Sequence, residues 1–192
     1  MAQHANAPWQ LEPASNGARA WLVGLCAVLP VLITGGALGF ALLRDDTPTL
    51  VAGSVPVTIA VAIAGVAAFG GVIALVVDRA MRRHRITVDD HGIEVATTFH
   101  RRRLGWGDLR LDEARVVDLD EHKALRPAFK TNGTALPGFR SGWFRLRNRQ
   151  KALVAMAGGP RVTWIPTRQD YGLVLQSRQP HALLDLLRER AR

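Results

Sequence analysis

Residues 21–43, WLVGLCAVLPVLITGGALGFALL, and residues 50–77, LVAGSVPVTIAVAIAGVAAFGGVIALVV, contain no charged side chain. Each exceeds the roughly 20 apolar residues that a helix needs to cross a hydrocarbon core of about 30 Å. Only Arg44-Asp45-Asp46-Thr47-Pro48-Thr49 lies between them. The pattern predicts a two-helix transmembrane hairpin, 21–43 and 50–77, with residues 78–192 as a separate domain behind it. Charge sets the orientation. Arg79, Arg82, Arg83 and Arg85 follow the second run at once, whereas the short link carries Arg44 and two carboxylates. Positive flanks are retained in the cytoplasm, so both termini are expected there and the link outside.

Finer marks refine the spans. Ser54 reads as an N-cap with Pro56 in the first turn, where a missing N–H costs little. Pro30 falls inside the first run and predicts a kink near Cys26–Pro30. Gly35 with Gly39, and Ala60 with Ala64 and Ala68, repeat a small residue every fourth position. Such stripes let helices approach closely in lipid, either within the hairpin or between two copies. The first run is longer than the apolar segment of a cleaved signal, and its N-terminal flank is hardly basic. No ionisable residue interrupts either run, which argues against an ion or proton pathway. Residues 1–20 mix Ala, Asn, Pro, Gln and Ser without periodicity and are expected to be a disordered tail.

The net charge is +9, and only three of the 25 basic residues are lysine. An arginine load of this kind, with abundant Ala, Gly and Val, resembles coding from a GC-rich bacterial genome. The expected location is therefore a bacterial inner membrane. Basic residues beside an anionic leaflet also gain about 1 kcal/mol each. Cys26 is the one cysteine, so intrachain disulfides and thiolate metal sites are excluded.

After Arg85 the sequence reads as short strands divided by turns. Ile86–Val88 and Ile93–Thr97 flank an Asp-Asp-His-Gly turn, and a strand follows at about Ala114–Leu119. Asp120–Gly142 is poor in apolar residues and reads as a long loop. Trp143–Arg147 alternates: Phe144 and Leu146 face one way, Trp143, Arg145 and Arg147 the other. Lys151–Met156, Arg161–Pro166 and Tyr171–Leu175 complete the set. Pro180–Arg188 is an amphipathic helix with Leu183, Leu184 and Leu187 as its buried stripe. The class is α+β, with six or seven antiparallel strands forming a small barrel or sandwich capped by the C-terminal helix.

The segment Thr131–Asn148, TNGTALPGFRSGWFRLRN, resembles the bacterial pleckstrin-homology-like domains often found behind membrane spans. They carry a similar N-G-T-x-L-P-G-aromatic segment followed by G-W-F-x-L. The Lys151–Val154 strand, the Tyr171 strand and the Leu-rich helix are also similar, so the resemblance covers roughly Arg85–Arg188. It departs at Asn148-Arg149-Gln150, where such domains often have Asn-Gly. It implies a pleckstrin-like barrel in a membrane setting and names no activity.

Arg140, Trp143, Arg145, Arg147, Arg149 and Lys151 gather around one hairpin and form the candidate binding set. Guanidinium groups suit phosphate or carboxylate ligands, so the set reads as a headgroup site, a face for an acidic protein, or a solvated face. Arg101-Arg102-Arg103, expected on a loop or strand end, joins Arg79, Arg82, Arg83 and Arg85 as the candidate membrane-surface set. Trp106, Trp143 and Trp164 are core or interface aromatics; they are too weakly interleaved with arginine for base stacking, which argues against nucleic acid. The acids at 118–121 with His122 match no calcium loop, and the histidines have no zinc spacing. Gly138–Gly142 is off the nucleophile-elbow pattern, and Gly133–Gly138 lacks the following Lys-Ser/Thr of a phosphate loop. No metal, cofactor or catalytic residue is expected. The expected role is a binding or scaffold module that shows its domain to a protein partner, with anionic lipid contacts. An anionic-headgroup sensor is the alternative, and a membrane enzyme is the alternative of another class.

Overall fold

The computed structural model describes residues 7, 9–44 and 53–192. Most of the expected link and the start of the second run, residues 45–52, lie outside the described residues, as do 1–6 and 8 of the expected tail. The chain divides into two compact units: the described part of Arg19–Arg79, and residues 7 and 9–18 with Ala80–Arg192.

The first unit is the helical pair. The chain is helical from α1 (Asn16–Val23) through a π turn at Gly24–Val28 into α2 (Leu29–Leu43). Its partner is α3 (Val55–Met81). Both helices are long and apolar enough to cross a membrane. Pro30 explains the π turn. It has no N–H to offer the Cys26 carbonyl, and the Leu29 N–H reaches back to the Gly24 carbonyl, the wider spacing of a π bulge.

The two helices come into close contact at Gly70. A Cβ there would overlap the Cys26 carbonyl. The shielded stripe of α3 runs through Thr58, Ala62, Val66, Gly70 and Ala74, four residues apart. Ala60, Ala64 and Ala68 lie exposed on another side, and Gly35 and Gly39 face open space. The packing stripe is thus displaced by two residues from the expected one. Small residues line most of α3, so spacing alone did not identify the side that meets the irregular turn. Arg19 Nε lies 3.2 Å from Asp78 Oδ1 and ties one end of the pair.

The second unit is built on two sheets. β1 (Arg85–Asp89), β2 (Gly92–Ala96) and β3 (Arg101–Gly105) form an antiparallel meander. The Asp89 carboxylate accepts the His91 and Gly92 N–H groups and closes its first turn. β4 (Arg115–Asp118), β5 (Pro127–Leu136), β6 (Phe139–Leu146), β7 (Lys151–Met156), β8 (Arg161–Pro166) and β9 (Tyr171–Leu175) form the larger sheet, in the order β4-β8-β9-β7-β6-β5. β9 lies between β7 and β8 and runs parallel to β7. The final helix is α4 (Pro180–Arg190). Among the described residues the sheets do not close into a barrel, and the strands are mixed rather than all antiparallel. The expected loop over Asp120–Gly142 is also corrected, because most of it is β5 and the first residues of β6, which pair with each other. β5 is an edge strand with most of its side chains exposed, so it gives no alternating apolar signal.

Both faces of the larger sheet are buried, which explains the unbroken apolar runs in β7 and β9. One face packs Trp143, Leu153, Ile165 and Leu173 against β1–β3 and against Leu183, Leu184 and Leu187 of α4. The other face packs Phe144, Leu146, Val154, Val162, Trp164 and Val174 beneath Leu119 and Leu125. Alternation along β6 is as expected, but neither side of it is a free surface near Trp143, which is 7% exposed.

The expectation of a disordered tail differs from what residues 9–14 show. Leu11 is buried and bridges to Ser177. The Gln10 side chain donates from Nε2 to the Ile86 carbonyl at 2.7 Å and accepts the Ile86 N–H at 3.1 Å through Oε1. A side-chain amide thus supplies to the outer edge of β1 the two hydrogen bonds that a further strand would make. The composition of the segment hides this, because one Gln and one Leu carry the docking.

Substituting Gly70→Leu is expected to cost the helical pair about 1–3 kcal/mol through overpacking, whereas Gly35→Leu changes little. Thermal unfolding of the full chain in one detergent compares them. The β6–β7 turn supplies a second expectation. Arg149 there adopts a left-handed φ of 68°, so Arg149→Gly should raise stability by about 1 kcal/mol. A lower denaturant midpoint for that variant would contradict strain at this turn.

Candidate functional site

Trp143 is the centre of the one candidate group that the fold assembles. It sits on β6 opposite Leu153 of β7. Lys151 begins β7, and its Nζ lies 4.6 Å from the centre of the indole. Arg102 comes from β3, with Cζ 5.5 Å from the same ring. Tyr171, the only tyrosine of the chain, meets the indole edge-on at 4.8 Å. His100 lies at 6.4 Å, also edge-on. Each cation held over an indole gains about 0.5–2 kcal/mol from the ring quadrupole. Register accounts for the grouping. Phe129 of β5 pairs with Arg145, Arg145 with Lys151, and Lys151 with Tyr171. The four form one row across the sheet, at the rim of the face that holds Trp143. Phe129 is 74% exposed and contributes apolar surface at its end.

No carboxylate among the described residues forms an ion pair with Arg102, Arg145 or Lys151. Arg145 Nη1 donates to the Arg149 carbonyl at 3.1 Å. Burial pushes the Tyr171 phenol up from its ordinary value, and burial followed by Arg102 lowers the His100 imidazole. The row can therefore offer cations and aromatic edges to an anionic group, and it holds no nucleophile and base in reach of each other.

The other predicted residues fall elsewhere. Arg140 lies on β6 opposite Ala135 and Met156, away from Trp143. Arg147 and Arg149 lie in the exposed β6–β7 turn. Arg101–Arg103 begin β3, the strand-end placement of the two expected. Arg101 pairs with Glu94 and Arg103 with Asp89, at 3.3 and 2.6 Å, on one side of that strand. Arg102 alone points to Trp143. Arg79 lies in the last turn of α3, Arg82 and Arg83 are exposed just after that helix, and Arg85 opens β1. Arg102, Tyr171 and His100 were missed as partners of Trp143, because strand order rather than spacing brings them there.

A buried polar node lies beside this group. Ser141 Oγ accepts the Thr98 N–H, stands 2.9 Å from the Thr98 hydroxyl, and lies 2.9 Å from His84 Nε2. The His84 ring also packs on Phe139 at 5.0 Å. Burial lowers its pKa to about 4. Ser141 is fully enclosed, so the Ser–His pair is a structural joint.

A cleft of about 770 Å³ opens where four connections of the larger sheet converge. Trp164 and Gly172 lie at its base, and charged residues of both signs stand on its walls. Among the described residues no cluster of His, Cys, Asp or Glu could hold a metal ion.

No family model, curated protein or solved structure matches this chain.

The His84 joint has a pH signature. The unfolded imidazole takes up a proton near its ordinary value of 6.5 and the folded one only near 4, so protonation favours the unfolded chain. Stability is full above about pH 6.5 and declines as pH falls toward 4, with a loss of about 2 kcal/mol between about pH 7 and 5. Denaturant unfolding at those two values, with His84→Gln as the variant that flattens the difference, checks it.

Proposed function

We propose that this chain is a membrane-anchored binding module of a bacterial inner membrane. In this reading the apolar helices cross the bilayer twice, and both termini lie in the cytoplasm. Residues 78–192 then present the Trp143 row to an acidic segment of a protein partner. The observation that carries the reading is that Arg102 and Lys151 lie over one indole, with Arg145 beside Lys151 in the same row, and that none of the three makes an ion pair among the described residues. Cations that border a rigid aromatic are good anchors for an acidic, aromatic-bearing peptide, since Trp and Arg dominate interface energetics. Arg79, Arg82, Arg83 and Arg85 support the cytoplasmic placement and add contacts to anionic lipid.

The pleckstrin-like resemblance belongs to this proposal and rests on Thr131–Asn148. The open, mixed sheet would make the chain a divergent member of that group. The role proposed is binding rather than catalysis. The headgroup-sensor alternative uses the same cations, so the experiment must separate lipid from protein.

A photo-crosslinking residue placed at Phe129 is expected to give a discrete protein adduct in native membranes. In the Arg102→Glu/Lys151→Glu chain that adduct should fall about tenfold or more. The same label at Arg161, away from the row, should give none. Adducts only to lipid would move the reading to the headgroup sensor. Equal adducts from both positions would remove the binding role from this row.

A further inference from the structure

The cleft described above shares Lys151 and Tyr171 with the Trp143 row, and its other lining residues, which exclude Phe129 and Arg145, are distinct from that row. Its walls come from the segment before β4, the segment between β4 and β5, and the β6–β7 and β8–β9 turns. These walls are tied in place. The Asn148 N–H donates to the Ala124 carbonyl at 3.0 Å and the Arg147 N–H to the Arg126 carbonyl at 2.9 Å. Arg126 Nε donates to the Leu119 carbonyl at 2.8 Å and its guanidinium pairs with Asp120. The hollow itself follows from residue size. Pro166 and Gly172 are cross-strand partners at its base, and the Trp164 ring lies so close over Gly172 that a Cβ would overlap it. The volume falls within the range of small-molecule sites, about 300–1,000 Å³.

The charges on the walls decide what fits. Arg110 and Glu113 pair with each other. Of the others, Arg115, Lys123, Glu121 and Asp170 make no ion pair among the described residues. Lys151 also borders the cleft, but its ammonium is held over Trp143. Two cations and two carboxylates without ion pairs thus line one cleft, and the side chain of Gln169 adds a neutral donor and acceptor. A polyanion would meet the carboxylates and an apolar ligand would strand the charges. A molecule that carries both signs can satisfy all four.

We propose that the cleft between the β6–β7 and β8–β9 turns binds a small zwitterion with a carboxylate and a primary ammonium, of the size of an amino acid or short peptide. Arg115 takes the carboxylate in a two-pronged pair, supported by Lys123, because the guanidinium fork matches carboxylate geometry. Asp170 and Glu121 take the ammonium. The Trp164 indole supplies the apolar base between the two ends.

The test uses the full chain in detergent and titration calorimetry with tri-alanine and a panel of free amino acids. At least one probe is expected to saturate the cleft. Acetylating its amine or amidating its carboxylate should each weaken binding about tenfold or more, the scale of one lost charge-assisted contact. Asp170→Asn should lower affinity for the free zwitterion and leave little further loss on acetylation, and Arg115→Ala should do the same for amidation. Both side chains are at the surface, and circular dichroism of each variant confirms that the fold is intact. Absence of saturation by every probe up to about 10 mM would overturn the proposal. So would binding that is indifferent to blocking either end.

Discussion

The parallel pairing of β7 with β9 is the constraint on which the second unit depends. It inserts the last strand of the chain between two earlier ones and makes β7 and β9 the centre of the sheet. Central strands with cover on both sides must be apolar at every position, and Ala152–Met156 and Leu173–Leu175 are. The same register puts Tyr171 beside Lys151 and so completes the surroundings of Trp143. It also sets Gly172 beneath Trp164, which leaves the hollow at the end of the sheet. Core, aromatic row and cleft are therefore three results of one strand placement.

Two-sided burial changes what the basic residues of β6 mean. With a single core, the side of β6 that bears Arg145 would be free surface. With two cores, Trp143 is enclosed between the sheets and only the end of its row reaches solvent. Arg102 and Lys151 then serve the packed indole and the outer surface together. Their ring contacts fix them in place, and a fixed cation loses less side-chain freedom when an anion arrives than a solvated one does.

Much of this architecture was legible in the residues, and the illegible parts have common causes. The two apolar runs, the β1–β2 turn, the alternation in β6 and the leucine stripe of α4 each depend on local periodicity, which a sequence displays directly. β5 was hidden because an edge strand bonds through its backbone and needs no apolar face. The parallel strand pair, the Arg102–Trp143 contact and the approach at Gly70 each join segments far apart in the chain, and no local pattern encodes them. Gln10 was hidden for a further reason. Its contribution is that of a backbone, made by a side chain.

That last contact has a topological consequence. Gln10 precedes the first apolar helix and Ile86 follows the second, yet the two share a pair of hydrogen bonds on one sheet edge. Residues that touch must occupy the same compartment. Any bilayer that the intervening chain crossed would therefore have to be crossed an even number of times. The N-terminal strap also cannot dock until the chain between Gln10 and Ile86, both helices included, has been made. Closure of the β1 edge thus waits on the synthesis of both apolar helices.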